Sequence, residues 1–572
     1  MRPTRRFRTP RRFRDVAVVA ALFAATLILF GLVHSLDPQA RLQAQQISPA
    51  SAGAGEGHAI AAQFSVMAAP QTVSSAFMTT PQSLTPAQLE TSLLDFDKLS
   101  STWAGRRAGV ITANAAAGPR AGTEVEPRQI PGGPVPASEE SNAAAAFLNR
   151  VIALAPSAFG LAVRMVAEPS VAVGDSVMWL TGNWFAARST DAGVNWTYVN
   201  PYADFPTFTS DQDTAYDPHR RLFLWYRQGA VLPGRLENSV KLNVSDDGAA
   251  SWCSYTLRPS DVDPAWNTLQ FDYPHLALTD NYLYVSSMLL VTGAGFATPR
   301  MMLFRMSLDD LAGCSAFRYV YWTMDEGWSW TPVENGATTI MYLGDTLDAG
   351  GADPTGTFRV YWQPEWTTEL FYVDRSVPAW TYTERTSLCR VAGGGNPCAR
   401  SDQRITSGWV RQYNGGGEIG FLWNVREGGG FSYPYINAVT FDQETLSVTG
   451  RPALWDSKCA WQYGAAAPNG EGLGIAAFSF CPSQPPAHAI GLLDASSGQS
   501  KWAMFYSRVG EVPTSALIWG DYIRVRSDGR GYVATGYTIG ENGAEPFLVW
   551  FGRRALARPE EEPPSADGNP RH

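Results

Sequence analysis

The sequence predicts an all-β fold, a β-propeller of seven four-stranded blades, on three observations. From about Gly160 onward, short alternating or apolar runs divided by Gly, Asp, Asn and Pro recur at about fifty-residue intervals, the mark of a repeat architecture. Hydrophobic residues make up 45% and aromatics 12%, but charged residues only 17%, with 53 Gly and 39 Pro. Such a mixture suits many short packed strands joined by tight turns, not long helices. The last repeat, finally, offers three strands where a closed ring needs four.

Successive units begin near Pro169, Asp211, Tyr273, Pro332, Trp409, Trp461 and Trp519. The first reads SVAV, VMWLT, WFAAR and VNWTYV, four strands with tight turns between them; the second repeats the order as DTAYD, RLFLWY, SVKLNV and WCSYTL. The last gives only YIRVRS, YVATGYT and PFLVWFG before an acidic, Pro-rich tail. The apolar run Leu161–Ala167 is the expected closing strand, so that no sheet edge stays open. The unit from about Thr338 to Gly408 is long and its strands are indistinct, which leaves six or eight blades as alternatives. The propeller is therefore expected over 160–556, with a disordered tail at 557–572.

The N-terminal third has another character. Residues 1–15 are a basic segment: the first fourteen hold seven Arg and no acid, so the rest of the chain is more acidic than the overall charge of −9. That balance argues against a nucleic-acid partner, which needs a Lys/Arg footprint. The uncharged run 16–33 is long enough to span a bilayer and is expected to anchor the chain, holding the Arg cluster in the cytoplasm and sending the rest outward. A cleaved signal ending near Ser35 or Ala44 is the alternative, and it would make the protein secreted. Residues 34–83 read as a disordered stalk, and 84–159 as a helical and linker region. In that region Thr85, Pro86 and Gln88 form a helix start leading to about Trp103, and a second Ala-rich helix is expected from Ser138 to Leu154. The six Cys suit an oxidising compartment, and sequence proximity suggests Cys389–Cys398, Cys459–Cys481 and Cys253–Cys314 among fifteen pairings.

One turn motif is distinctive. Between the third and fourth strands of the first unit stands Ser189-Thr190-Asp191-Ala192-Gly193-Val194-Asn195-Trp196, in which short oxygen side chains can bond turn amides and Trp196 can fold back as a plug. A second copy uses Asp246, Gly248 and Trp252, with Val244 in the place of the first Ser and the Trp one residue late. The pattern S-x-D-x-G-x-x-W resembles the Asp box of the sialidase-like (BNR-repeat) β-propeller superfamily. The resemblance implies fold, not chemistry. The Arg-Ile-Pro element of its sialidases is not matched, since Arg128-Gln129-Ile130-Pro131 lies in a linker, and those sialidases have six blades.

Inner strands of a propeller line the axis, and the loops leading into them gather at one mouth. The acids at these positions are Asp213, Asp272 and Glu334, candidate catalytic carboxylates for glycosidic cleavage. His275, Trp328, Trp330, Tyr463, Trp519 and Asp521 are candidate ligand contacts, since acids beside flat rings suit a carbohydrate. Arg227, Arg359 and Arg524 could meet an anion. No zinc spacing and no cofactor motif occurs, and the run Asp211, Asp213, Asp217 is only a weak Ca²⁺ signal. Two functions follow: a non-catalytic propeller that binds a glycan or an envelope protein, and a glycoside hydrolase using paired mouth carboxylates.

Overall fold

The computed structural model describes residues 58–74, 123–124, 128–129, 148–151 and, apart from short gaps, 168–552. Residues 1–53 lie outside the described residues. The anchor over 16–33, the helix from Thr85 and the tail at 557–572 all lie outside them too. No helix among the described residues is long and apolar enough to cross a membrane.

Among the described residues seven sheets, antiparallel in their inner strands, form seven blades. Their inner strands are Ser170–Val173, Phe208–Asp217, Leu269–Leu278, Thr331–Pro332, Ile405–Tyr413, Ala460–Asn469 and Val525–Ser527. Each packs on the next, and the last packs on the first, so the ring is closed. The blade starts expected from the sequence hold. The indistinct unit is the fourth blade, whose inner strand is two residues long; the described residues between Val377 and Arg404 hold no strand.

Closure works differently from the expectation. The fourth strand of the seventh blade is Leu148–Val151, antiparallel to Gly543–Phe551, with Phe547 opposite Val151 and Trp550 opposite Leu148. Residues 161–167 are outside the described residues, and the helix expected over 138–154 is a strand at this point. The stalk is likewise no stalk at its centre. His58–Ile60 pairs with the outer edge of the fourth blade, Gln63–Met67 with the third and Gln71–Ser74 with the second. Thr123–Glu124 and Arg128–Gln129 add parallel strands to the fifth and sixth. These segments are too short and polar to bury a core alone, which is why none of them reads as a strand in the sequence. They take their order from unpaired backbone groups at the blade edges. Met67 goes further and is buried in the core shared by the second and third blades, with Tyr255, Leu257, Phe304 and Phe317.

Large aromatics fill the spaces between blades. Trp179, Trp225 and Trp252 meet at ring separations of 4.8, 4.7 and 5.4 Å between the first and second blades. The disulfides are Cys253–Cys314, Cys389–Cys398 and Cys459–Cys481, as proximity suggested.

The two Ser-x-Asp turns share one hydrogen-bond scheme. Ser189 Oγ accepts from Gly193 N at 2.8 Å and donates to Asp191 Oδ1, which also accepts from Asn195 N at 2.8 Å. In the second turn Ser245 Oγ accepts from Ala249 N at 2.9 Å, and Asp247 accepts from Ser251 N at 2.9 Å. The expected register is thus off by one: Ser245 and Asp247, not Val244 and Asp246, carry the turn, and Trp252 is in step. Ala249 takes the place of Gly193, both at positive φ (61° and 84°). By strand direction these turns lie at the end opposite the starts of the inner strands.

If the N-terminal strands are part of the fold, Met67→Ala costs about 2–5 kcal/mol, measured by urea unfolding. A chain begun at Gly160, stripped of six outer strands, fails to give a soluble propeller. A tethered stalk predicts no change in either measurement.

Candidate functional site

Five ionisable side chains meet at the axis. Asp213 of the second blade faces Arg524 of the seventh at 3.1 Å, and Arg524 reaches Glu334 beside the fourth at 3.3 Å. Glu334 accepts from His275 Nδ1 of the third blade at 2.8 Å, and Arg526 lies 3.6 Å from its other oxygen. Asp213 also accepts from Ser170 Oγ at 2.7 Å and from the amide of Leu276 at 2.9 Å. All of these groups are buried. Burial alone would raise the Asp213 carboxyl, but Arg524 and Arg526 overturn it and hold it at about 2. Burial lowers His275, which is therefore neutral at pH 7. Asp213, Glu334 and His275, expected as catalytic or ligand groups, instead bind blades one, two, three, four and seven to one another. Arg524 is taken as well.

A segment of chain crosses the axis beside this cluster. After Pro332 the chain leaves the fourth blade, and Glu334 N and Asn335 O bond to Gly408 O and Val410 N of the fifth at 3.2 and 2.9 Å. Asn335 Nδ2 lies 3.2 Å from the carbonyls of both Ala466 and Val525, in the sixth and seventh blades. Gly336 makes this crossing feasible: its φ is +85°, and a Cβ there would lie 1.9 Å from Val410 O.

The starts of the inner strands form the mouth. Here Arg404 binds Asp402 at 2.8 Å and Asp521 at 2.7 Å, and its guanidinium lies 3.9 Å from the Tyr273 ring centre. Glu168 accepts from the Asp521 amide at 3.0 Å and from Asn183 at 2.7 Å. Asp272 accepts from Gln228 Nε2 at 3.1 Å. Tyr273 and Tyr522, with rings 6.2 Å apart, form a floor between mouth and axial cluster. Asp272 and Asp521 are the half-buried acids of this group; Glu168, Asp211 and Asp402 are buried.

Comparison among blades singles out Asp272. Gln212 in the second blade donates to Phe185 O, and to Gly182 O, in the first blade; Gln462 in the sixth donates to Val425 O and Tyr435 O in the fifth, at 3.2 and 3.1 Å. Each glutamine stitches its blade to the second hairpin turn of the preceding one. Asp272 stands at the matching bulge of the third blade, but a carboxylate cannot donate to carbonyls, and it meets Gln228 instead. Burial raises the Asp272 carboxyl above its ordinary range, against the pull of Gln228 and Arg404.

Other expected contacts do not offer open faces. Trp330 packs 5.0 Å from Tyr361, Trp519 is enclosed by Phe478, Phe480 and Tyr537, and Tyr463 donates to Pro397 O at 3.1 Å; all three are buried core. Trp328 lies outside the described residues. Arg227 is bound by Asp204 and Arg359 by Asp374, both at 2.6 Å. The oxygen-rich run does not converge, since Asp213 serves Arg524 while Asp217 accepts from His219 N and pairs with Arg220. Among the described residues no group of acids, His and Cys could hold a metal. Sequence reasoning missed Arg404, Asp402, Glu168 and Gln228. The first two follow a loop where strand assignment was weakest, although the acid-x-Arg spacing of Asp402 and Arg404 was visible; Gln228 ends a second strand, which was not searched.

No family model matches the chain, and no curated protein matches it. Solved structures do. They include an α-L-arabinanase of Penicillium chrysogenum complexed with arabinobiose, 12% identical, with a TM-score of 0.33 over 68% of this chain and 94% of that one. A GH93 α-L-arabinofuranosidase of Fusarium graminearum is also 12% identical, with a TM-score of 0.35 over 72% of this chain and 98% of the other. A Trypanosoma rangeli sialidase is 7% identical, with a TM-score of 0.32 over 68% and 54%. Similarity at this level carries no argument about activity.

The axial cluster generates a prediction. Arg524→Met leaves Asp213 and Glu334 buried without their main cation and costs about 3–5 kcal/mol. Because the Asp213 pKa is depressed, its contribution is full above about pH 4 and is lost as pH falls toward about 2. Urea midpoints across that window should fall steeply in the native chain and more shallowly in Asp213→Asn. Equal slopes would show that this pair does not set acid stability.

Proposed function

We propose that this chain is an extracytoplasmic, membrane-tethered propeller of the sialidase-like superfamily that binds a carbohydrate at its mouth through Asp272 and Asp521. One observation carries the reading: an acid, Asp272, occupies a place where two sister blades have a stitching glutamine. The substitution gives up two inter-blade hydrogen bonds and half-buries a carboxyl, a cost that fits a group kept for a ligand. Hydroxyl groups of a sugar are suitable donors to such acids. The two Ser-x-Asp turns support the superfamily assignment as Asp boxes, and three disulfides support an oxidising compartment. An envelope protein is the rival ligand.

A second reading, glycosidic cleavage, draws on a separate observation. Burial drives Asp272 toward its protonated form, and Asp521 lies 2.7 Å from the Arg404 guanidinium. Two carboxyl groups in unlike surroundings, one against an amide and one against a guanidinium, are the elements from which an acid and a base can be built. In such a reaction Asp272 would protonate the departing oxygen and Asp521 would support the attack from the other face.

Asp272→Asn separates function from fold. Binding on a glycan array should fall at least tenfold, while the melting temperature holds or rises by on the order of 1–2 °C, because a costly buried carboxyl has gone. Binding equal to that of the native chain would remove Asp272 from the site. For cleavage, release of reducing ends from neutral oligosaccharides should be abolished in both Asp272→Asn and Asp521→Asn; turnover that survives both would end the hydrolase reading.

A further inference from the structure

The outer wall of the third blade ends on an unprotected edge. Its outermost strand, Gln63–Met67, pairs with residues 317–321 on one side, and no described strand follows it on the other. Sheet edges that stay apart from other chains carry a charge, a proline or a bulge. The sequence Gln-Phe-Ser-Val-Met has no charge and no proline, its register is unbroken, and it is the longest of the outermost strands described. Phe64 and Val66 share the face turned away from buried Met67, and they are 48% and 54% exposed.

A third exposed ring belongs to this side of the blade. Phe64 stands opposite Val320, Val320 opposite Arg305, and Arg305 donates to Thr367 O at 2.7 Å, in the turn of the fourth blade that carries Trp366. Trp366 is 73% exposed although its turn is pinned: Thr367 O also accepts from Gln363 Nε2 at 2.6 Å, and Thr368 O from Trp322 Nε1 at 3.0 Å. A large ring held out on a fixed turn, beside two apolar side chains on a bare edge, is the make-up of a contact surface.

The edge fits its own copy. An antiparallel pair about a two-fold axis through Ser65 sets Phe64 opposite the partner's Val66, and Val66 opposite the partner's Phe64. Aromatic and β-branched residues are favoured cross-strand partners. Moving the axis to Phe64 leaves Val66 against Ala62, and moving it to Val66 leaves Phe64 against Ala68, so one register satisfies both. Charge agrees with this pairing. The strand brings no charge of its own, and exposed Arg318, which stands opposite Val66, ends up three strand spacings, about 14 Å, from its copy.

We infer that the chain associates with a second copy of itself through this edge, joining the third blades of the two copies into one continuous sheet. The inference is independent of any ligand at the mouth. Two five-residue strands make a contact at the small end of specific interfaces, about 1,000 Å² or less, so the dimer is weak and reversible in dilute solution and fills where copies are concentrated.

Sedimentation of the full chain, in detergent with micelles in excess, should show a concentration-dependent equilibrium between monomer and dimer. Phe64→Lys and Val66→Glu should each weaken it at least about tenfold, with melting temperatures within about 2 °C of the native chain, because both side chains are exposed. A one-to-one mixture of the two variants sets the new cation opposite the new anion and should restore association to within about threefold of the native chain. Ser65→Cys adds a probe of register, since the native Cys are all paired. Directly opposed Cα atoms of an antiparallel pair lie about 4.5–5.5 Å apart, which is within disulfide range. Mild oxidation should therefore give a covalent dimer of Ser65→Cys but not of Thr72→Cys, on the outer strand of the second blade. A chain that stays monomeric, a dimer that survives both charged variants, a mixture that fails to restore it, or equal cross-linking at the two positions overturns the assignment.

Discussion

Closing a ring of seven sheets brings the ends of seven inner strands to one axis, and the buried cluster of Asp213, Arg524, Glu334, His275 and Arg526 is what that axis is made of. Neighbouring blades pack through apolar and aromatic side chains. Blades on opposite sides of a ring cannot touch in that way, and only long, strongly interacting groups span the gap. A buried pair is a poor source of net stability against an apolar isostere, but removing one member leaves a charge that has no water to return to. The cluster thus fixes which blade faces which more than it adds stability. It also bears on where function can be, because the cluster and the crossing Asn335 occupy the axis below the starts of the inner strands.

The second dependence runs around the outside. Strands from residues 58–151 cover the outer edges of six blades, pairing with partners about 180 to 400 residues away in sequence. Such contacts form only after long loops have closed, so ring and belt complete each other late in folding. The seventh blade joins both ends of this arrangement, since its outer strand precedes the first blade and its inner three strands end the described chain.

Architecture was legible in the sequence wherever burial imposed a pattern. Strands such as SVAV and RLFLWY carry their own apolar signal, and all three disulfides followed from proximity. The N-terminal strands were not legible, because QTVS and HAI contain too little apolar material to announce themselves; their order comes from partners elsewhere. Among site residues, position at the start of an inner strand was readable but the partner was not. Asp213 and Asp272 look alike in sequence, and only the arrival of Arg524 at one and Gln228 at the other separates a structural acid from a candidate functional one. Aromatic residues misled for a related reason: Trp330, Tyr463 and Trp519 stand near the mouth in sequence, yet rings of that size contribute most when enclosed.

Backbone strain is one sign of a functional site, and in the third blade Tyr273, next to Asp272, has a φ of 53°. The sixth blade removes that argument. Tyr463 has a φ of 59° at the same kind of bulge, follows Gln462, and donates to a loop carbonyl just as Tyr273 donates to Ile405 O at 3.2 Å. The bulge and its strained tyrosine are therefore architecture, shared by a blade with a stitching glutamine and a blade with an acid. What differs is the one side chain before them. With geometry held constant between the two blades, the change from amide to carboxyl is isolated as the feature that folding does not require.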